Sequence, residues 1–190
     1  MEKYLNSKGR NIIGWDEILE GGLAPNATVM SWRGVEGGLN AAKAGHNAIM
    51  TPNPYAYLDQ YQEEPEIAPV TIGGYNTLKK TYSYNPVPDD ANELVKKHII
   101  GVQACLWSER IDTPERAEYL ILPRLAALSE LGWADPEQHD FDAFMDRLYR
   151  LITVYDKSHY TYSEHVFQIT ENFRTDTLQD ALEISLSTIG

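Results

Sequence analysis

Cysteine is almost missing from this sequence: 190 residues contain one, Cys105. A single thiol excludes an intrachain disulfide and any zinc cluster built on paired cysteines. Set in the apolar run GVQACLW, Cys105 reads as a small core residue. Basic residues are scarce too, 16 Lys and Arg against 28 Asp and Glu, for a net charge of −12. That balance argues against nucleic acid and against an anionic membrane as main partners, since both need basic surface. No apolar run is long enough to span a bilayer. The opening residues MEKYLNSKGRN carry no apolar signal region. There is no glycine-rich phosphate loop with its lysine, and no G-x-S-x-G nucleophile elbow. The five histidines, His46, His98, His139, His159 and His165, fall without ligand spacing. Neither a metal nor a cofactor is therefore expected.

What remains is 43% apolar residues, enough for a core, in an alternating pattern. A helix end (2–7) stops at Gly9 and leads into the short apolar run NIIGW. A short helix, DEILEGG, follows, and then a second strand, ATVMSW. GVEGGLNAAKAG reads as a helix closed by Gly45, weakened by Gly37 and Gly38. HNAIMTP is a third strand, cut off by Pro52. DDANELVKK reads as a helix with an acidic start, and HIIGVQACLW as the fourth and longest strand. Strands alternating with helices specify a parallel α/β sheet. The strands are nearly all apolar, as when both faces are covered. Four such units are half of an eight-unit barrel, which needs about 250 residues; a small open sheet would fit as well. Pro52–Asp90, rich in Pro, Gly, Tyr and Asn, reads as a long loop at the functional end of the sheet. Thr113-Pro114-Glu115 opens a helix expected to run to Leu131, with Gly132 as its stop. Asp140 caps another, whose stripe Phe141, Phe144, Leu148, Leu151, Ile152 and Tyr155 is core packing. After Tyr160 the texture changes: HVFQIT and ALEISLST alternate as strands with no helix between them.

Three of the four tryptophans, Trp15, Trp32 and Trp107, sit at the ends of predicted strands. In a parallel barrel they would ring one end, forming a cage that can enclose a methyl group or stack on a sugar ring. Tyr57-Leu58-Asp59 places a phenol and a carboxylate on one side of an extended segment, and Trp107-Ser108-Glu109 repeats the arrangement with an indole. Carboxylates accept hydrogen bonds from sugar hydroxyls, and aromatics cover a sugar's apolar faces. The alternatives remain open: the indoles could cap a core and the acids be solvated. Asp16-Glu17 reads as helix-opening acid, and Gly37-Gly38 and Gly73-Gly74 as backbone turns.

GWDEIL, the Trp32 strand end, the YLD at 57–59, and GVQACLWSE followed by EYLILPRLAALSELGW together resemble glycoside hydrolase family 20, the β-N-acetylhexosaminidases. The resemblance covers roughly residues 1–155. It implies a retaining, substrate-assisted hydrolase, an exception to the two-carboxylate pattern. In that chemistry the substrate's 2-acetamido oxygen attacks the anomeric carbon, while a glutamate protonates the leaving oxygen. By resemblance, Trp15, Trp32 and Trp107 would enclose the acetamido methyl. Tyr57 would donate to the acetamido carbonyl and so assist the attack, and Asp59 and Glu109 would grip sugar hydroxyls.

The family's catalytic Asp-Glu pair follows a His-x-Gly-Gly type motif, and this sequence has no such motif. Asp16-Glu17 matches a later segment. No catalytic residue is therefore expected in this chain. The expectation is a fragment: residues 1–157 as the second half of a β/α barrel, and 158–190 as the beginning of a β-sandwich-like segment. Its ligand would be a glycan bearing N-acetylhexosamine, and its partner the missing N-terminal half of the barrel. A non-catalytic carbohydrate-binding protein or a purely structural βα module is the alternative. A half barrel leaves two sheet edges unpaired, a known liability. Self-association through those edges is expected, and a strictly monomeric, well-folded species in analytical ultracentrifugation would contradict it.

Overall fold

The structure is a computed structural model that describes residues 1–167, together with the strand courses 169–176 and 181–188. Helix α1 (Glu2–Ser7) ends at Gly9, whose φ of +67° only glycine adopts freely. Strands β1 (Ile13–Trp15), β2 (Thr28–Ser31), β3 (Ala48–Met50) and β4 (Ile99–Val102) form one parallel sheet in the order β1-β2-β3-β4. Trp15 lies opposite Met30, Met30 opposite Ile49, and Met50 opposite Val102. The α/β class with a parallel sheet is as the alternation specified. β1 and β4 each pair with one neighbour only among the described residues. They leave Ile13 and Ile100 more than half exposed, at 56% and 54%. In β2 and β3 one face is buried (Val29 and Ser31, Ala48 and Met50) while Thr28, Met30 and Ile49 on the other stay only half-buried, so the expected covering of both faces is met on one face alone.

Helix α2 (Glu36–Lys43) packs on β2 and β3 because Gly38 has no side chain: a Cβ there would lie 2.4 Å from Met50 Sδ. The Gly38 N–H donates to Ser31 Oγ at 2.8 Å, tying the helix start to the end of β2. Gly37 and Gly38 are thus not a turn, as the sequence suggested. They are helical positions that permit close contact with the sheet.

β4 is shorter than the ten-residue run predicted. Past Met50 the β3 chain turns away at Pro52 into α3 (Asn53–Ala56), so the ladder loses its partner. Pairing resumes as a single bridge, with Leu58 N–H donating to Cys105 O and Cys105 N–H to Ala56 O, both at 2.8 Å. Cys105 is buried there, its Sγ 3.1 Å from Thr51 Oγ1.

The long irregular region holds a helix that its sequence did not announce, α4 (Leu78–Tyr82), capped by the Thr77 hydroxyl. Helix α5 (Glu93–His98) is capped by Asn92 and runs into β4. The single helix predicted from Pro114 to Leu131 is two: α6 (Pro114–Ile121) and α7 (Arg124–Trp133). Pro123 has no N–H to continue the ladder, so Leu122 turns extended and the axis breaks. Gly132 does not stop α7, which continues through it to Trp133. Helix α8 (Phe141–Ser158) has the Asp140 cap expected, and buries Phe144, Leu148 and Tyr155. His165–Phe167, expected in a strand, form a 3₁₀ turn. β5 (Ile169–Asp176) and β6 (Ala181–Thr188) pair antiparallel. Gln168 and Gly190, part of the predicted strand region, lie outside the described residues.

Helix α7 joins two cores. Leu128 and Leu131 pack with Ala48, Met50, Val95 and Ile99 under the sheet. Ala127 packs with Leu78, Tyr82, Phe144 and Leu148. At its first turn Arg124 is fully buried. Its Nη1 donates to Asn76 O at 2.7 Å, and its Nη2 to the carbonyls of Leu58 (2.6 Å), Gln60 (3.2 Å) and Leu120 (2.5 Å). Burial lowers the guanidinium's pKa to about 9, still above neutrality, so the group stays charged. Replacing Arg124 by Met would leave these carbonyls without a donor, at an expected cost of about 3–5 kcal/mol. Arg124→Lys, a point charge without the planar fork, should recover only part. Urea unfolding of the two variants checks this, and wild-type stability in Arg124→Met would refute it.

Candidate functional site

At the carboxyl ends of the strands lies an open cavity of about 610 Å³. Trp15, Trp32, Tyr57, Asp59, Trp107 and Glu109, the six residues singled out from sequence, all line it. Trp15 is the last residue of β1 and Trp32 follows the last residue of β2. Tyr57 and Asp59 stand on the extended segment bridged to Cys105. Trp107 and Glu109 are not on one strand face as the sequence suggested, because β4 ends at Val102. They stand on irregular backbone beyond the bridge, and the cavity still brings them together.

The indoles are not packed as a core. Trp15 and Trp107 meet with ring centroids 6.0 Å apart at 41°, and Trp107 keeps 43% of its surface exposed. Trp32 stacks on Tyr57 at 6.3 Å and 30°. Two aromatic pairs thus face one space, an apolar enclosure with polar groups at its edges.

Trp32 is set by the two acids that sequence reasoning left as helix-opening residues, and the structure gives each its own task. Asp16 is buried, and its Oδ2 accepts from the backbone N–H of Trp32 (3.1 Å) and of Arg33 (3.2 Å). Its Oδ1 takes the Arg33 Nε–H at 2.6 Å. Glu17 reaches the cavity and accepts from the Trp32 indole N–H at 3.0 Å. The backbone after β2 and the tilt of its indole are therefore fixed from the 3₁₀ turn Asp16–Leu19.

The phenol and the carboxylate differ in what surrounds them. Burial, with Cys105 adding to it, pushes the Tyr57 hydroxyl up to about 12, so it remains a hydrogen-bond donor at any physiological pH. Asp59 is 3% exposed, and its Oδ1 has no hydrogen-bond partner. Burial raises its pKa above the ordinary carboxylate value, and the Glu109 charge adds to the rise. The backbone N–H of Asp59 itself opposes the rise most, and the Arg124 charge and the backbone N–H of Trp107 oppose it further. Asp59 lines the cavity, but Oδ1 itself has no accessible surface, so a ligand in the cavity meets the residue elsewhere than at this oxygen.

The lining also includes residues not singled out from sequence: Asn53, Gln60, Ile72, Gly73 and Gly74. Gly73 and Gly74 are the turn expected of them, with φ of +111° and +75°, and they carry the cavity wall as well. Among the described residues no cluster of His, Cys, Asp or Glu has the makings of a metal site. Among the described residues three carboxylates and no basic side chain line the cavity, so it suits hydrogen-bond donors, hydroxyl and amide N–H among them.

With this geometry in view, comparisons with known proteins agree among themselves. The family described as glycosyl hydrolase family 20, catalytic domain, matches residues 1–136. A beta-hexosaminidase of Porphyromonas gingivalis is 50% identical over 148 residues, which cover 77% of this chain and 19% of that protein. A beta-hexosaminidase of Vibrio furnissii is 35% identical over 134 residues, 69% of this chain and 22% of the relative. The chain therefore spans about a fifth of the length of these relatives. Among solved structures, the family 20 exo-β-N-acetylglucosaminidase of Vibrio harveyi, in complex with N-acetylglucosamine, superposes with a TM-score of 0.76. It is 31% identical, and the match covers 85% of this chain and 26% of that one. An N-acetyl-β-hexosaminidase of Streptomyces plicatus shares the fold, at TM-score 0.76 and 23% identity, over 85% of this chain and 34% of its own.

The unpartnered carboxylate generates a prediction about pH. The Asp59 carboxyl has a higher pKa folded than unfolded, so between the two values the folded state holds more protons and stability falls as pH rises. Above that window the ionised group stays buried at a cost. Asp59→Asn is expected to raise stability at neutral pH by about 1 kcal/mol and to remove this fall with rising pH from the profile. Thermal unfolding between acid and neutral pH measures both, and an unchanged or lowered midpoint at neutral pH would refute it.

Proposed function

This chain belongs to glycosyl hydrolase family 20, a family of glycosidases, and from that premise we propose that its cavity holds the terminal N-acetylhexosamine of a glycan. Trp15, Trp32 and Trp107 enclose the acetamido methyl. The Tyr57 hydroxyl donates to the acetamido carbonyl and holds its oxygen in line with the anomeric carbon, which is the positioning that a substrate-assisted attack needs. Asp59 and Glu109 accept from sugar hydroxyls. The observation that carries this proposal is the lining of the cavity: four aromatic rings, those of Trp15, Trp32, Tyr57 and Trp107, surround one space with the carboxylates of Asp59 and Glu109 in its wall. The Tyr57 phenol, kept protonated by burial, supports the donor role given to it.

The protein that contains this segment would be a retaining β-N-acetylhexosaminidase acting on terminal residues of glycoconjugates or chitooligosaccharides. The proton donor to the leaving oxygen lies outside this sequence in this proposal, because no His-x-Gly-Gly-Asp-Glu type segment is present. The chain supplies binding and orientation, residues 1–157 as the second half of a barrel and 158–190 as the start of a β-rich segment. Missing barrel units would cover the open edges of β1 and β4.

The 190-residue chain should therefore bind and not cleave. Indole fluorescence should change saturably on titration with N-acetylglucosamine, and Trp107→Ala should weaken binding about tenfold or more. A chromogenic N-acetylglucosaminide should remain intact. Robust hydrolysis by the chain alone would overturn the absence of an acid, and failure of every sugar to perturb the indoles would overturn the pocket.

A further inference from the structure

We infer that Gln60 is a specificity-determining residue of this pocket, fixed by Asn53 and by the space that Gly74 leaves, and that it reads one ligand hydroxyl beside Asp59. The inference rests on the sugar pocket proposed above and goes beyond it by assigning a residue with no role there.

Gln60 follows Asp59 directly and is 7% exposed, yet its side chain lines the cavity. Its backbone carbonyl is held by Arg124. Its Nε2 donates to Asn53 Oδ1 at 3.0 Å, so the amide is anchored at one end. Gly74 fixes the other degree of freedom. A Cβ on Gly74 would lie 2.6 Å from Gln60 Cδ and 2.9 Å from Nε2, and the residue's φ of +75° already demands glycine. The Gln60 amide thus occupies the space that a side chain at Gly74 would need, with Asn53 holding its nitrogen.

That anchoring decides what the pair can still do. With one Gln60 Nε2 hydrogen given to Asn53 Oδ1, Gln60 Oε1 remains as an acceptor and Asn53 Nδ2 and the second Gln60 N–H as donors, on two side chains that both line the cavity. A hydroxyl donates one hydrogen bond and accepts others, so its chemistry matches an acceptor and a donor set side by side. The neighbouring Asp59 and Glu109, when ionised, can only accept. The two acids hold any suitably placed hydroxyl, whereas the amide couple demands one at a fixed place and orientation. A ligand whose hydroxyl points the other way leaves both amide atoms unpaired, which is the situation in which binding sites discriminate most strongly.

The test uses the full chain and two epimers, N-acetylglucosamine and N-acetylgalactosamine, which differ in the configuration of one hydroxyl. Affinities are read from indole fluorescence and confirmed by calorimetry. The wild type should prefer one epimer. Gln60→Leu should weaken that epimer about three- to tenfold and reduce the ratio between the two. Asn53→Ala should move the ratio in the same direction. Gly74→Ala should do so in the wild type and have no further effect in the Gln60→Leu background, the coupling expected if Gly74 acts only through Gln60. An unchanged epimer ratio in Gln60→Leu, or a wild type without preference, overturns the inference while leaving the sugar pocket standing. A wild type that binds neither epimer overturns the pocket and the inference together.

Discussion

The site depends on a buried cation that never touches the cavity. Arg124 enters the first turn of α7 with no exposed surface, and its guanidinium gathers carbonyls from three stretches of chain. Two of them, Leu58 O and Gln60 O, flank Asp59 in sequence. The segment that presents Tyr57, Asp59 and Gln60 is not a strand, and it lies between two isolated bridges, Tyr57 to Cys105 and Tyr61 to Tyr75. Without the guanidinium this stretch would have few bonds to define its course. Arginine suits the task because its planar fork reaches several acceptors and keeps its charge. The charge also acts across the intervening backbone on Asp59, opposing the rise that burial imposes. One side chain thus fixes the geometry of the wall and moderates the electrostatic cost of its carboxylate.

The opposite wall is positioned by an analogous device of reversed sign. Asp16 is a buried anion that collects two backbone N–H groups and the Arg33 side chain, while Glu17 holds the Trp32 indole. Charge-assisted bonds of this kind are stronger than neutral ones and tolerate little displacement. Two short stretches that regular structure does not define, residues 32–33 and 58–60, are each pinned by an ion on a neighbouring element. The sheet supplies the base from which these ions reach, and close approach of α2 at Gly38 keeps that base compact. Precision at the cavity therefore does not require long strands, and the four strands of the parallel sheet are three or four residues long.

Much of this was legible in the sequence, for identifiable reasons. Short apolar runs separated by helical stretches give the strand order, because a parallel βα pattern allows few alternatives. The six site residues were legible as pairs, an aromatic and an acid two positions apart, or as indoles closing apolar runs. What could not be read were features whose partners are distant in sequence. Arg124 looks like any first-turn arginine until Asn76, Leu58 and Gln60 are placed around it. Gly38 looks like a flaw in a helix until Met50 stands 2.4 Å from its missing Cβ. The length of β4 was overestimated because apolarity persists to Leu106, while the partner that would sustain a ladder turns away at Pro52. Periodicity reports what a residue wants to bury, and pairing depends on what is there to receive it.

The buried Asp59 sharpens the distinction between what stabilises this chain and what it is proposed to do. Folding takes a carboxylate out of water and leaves one oxygen without a donor, beside a second acid and within reach of only one buried cation. An amide or a small apolar residue would cost less there, so stability alone gives no reason for an acid. The cost becomes intelligible if the carboxylate serves a ligand, because the group has been desolvated before the ligand arrives and a bond to it forms in a low-dielectric wall. The same logic applies to Gln60. An amide locked by a neighbour and a glycine has given up its freedom in advance, and a hydroxyl that meets it need not order it again. Acid and amide are adjacent in sequence, and Arg124 holds the carbonyls on either side of the acid. A preformed polar wall beside an aromatic cage is thus a consequence of where one guanidinium was buried.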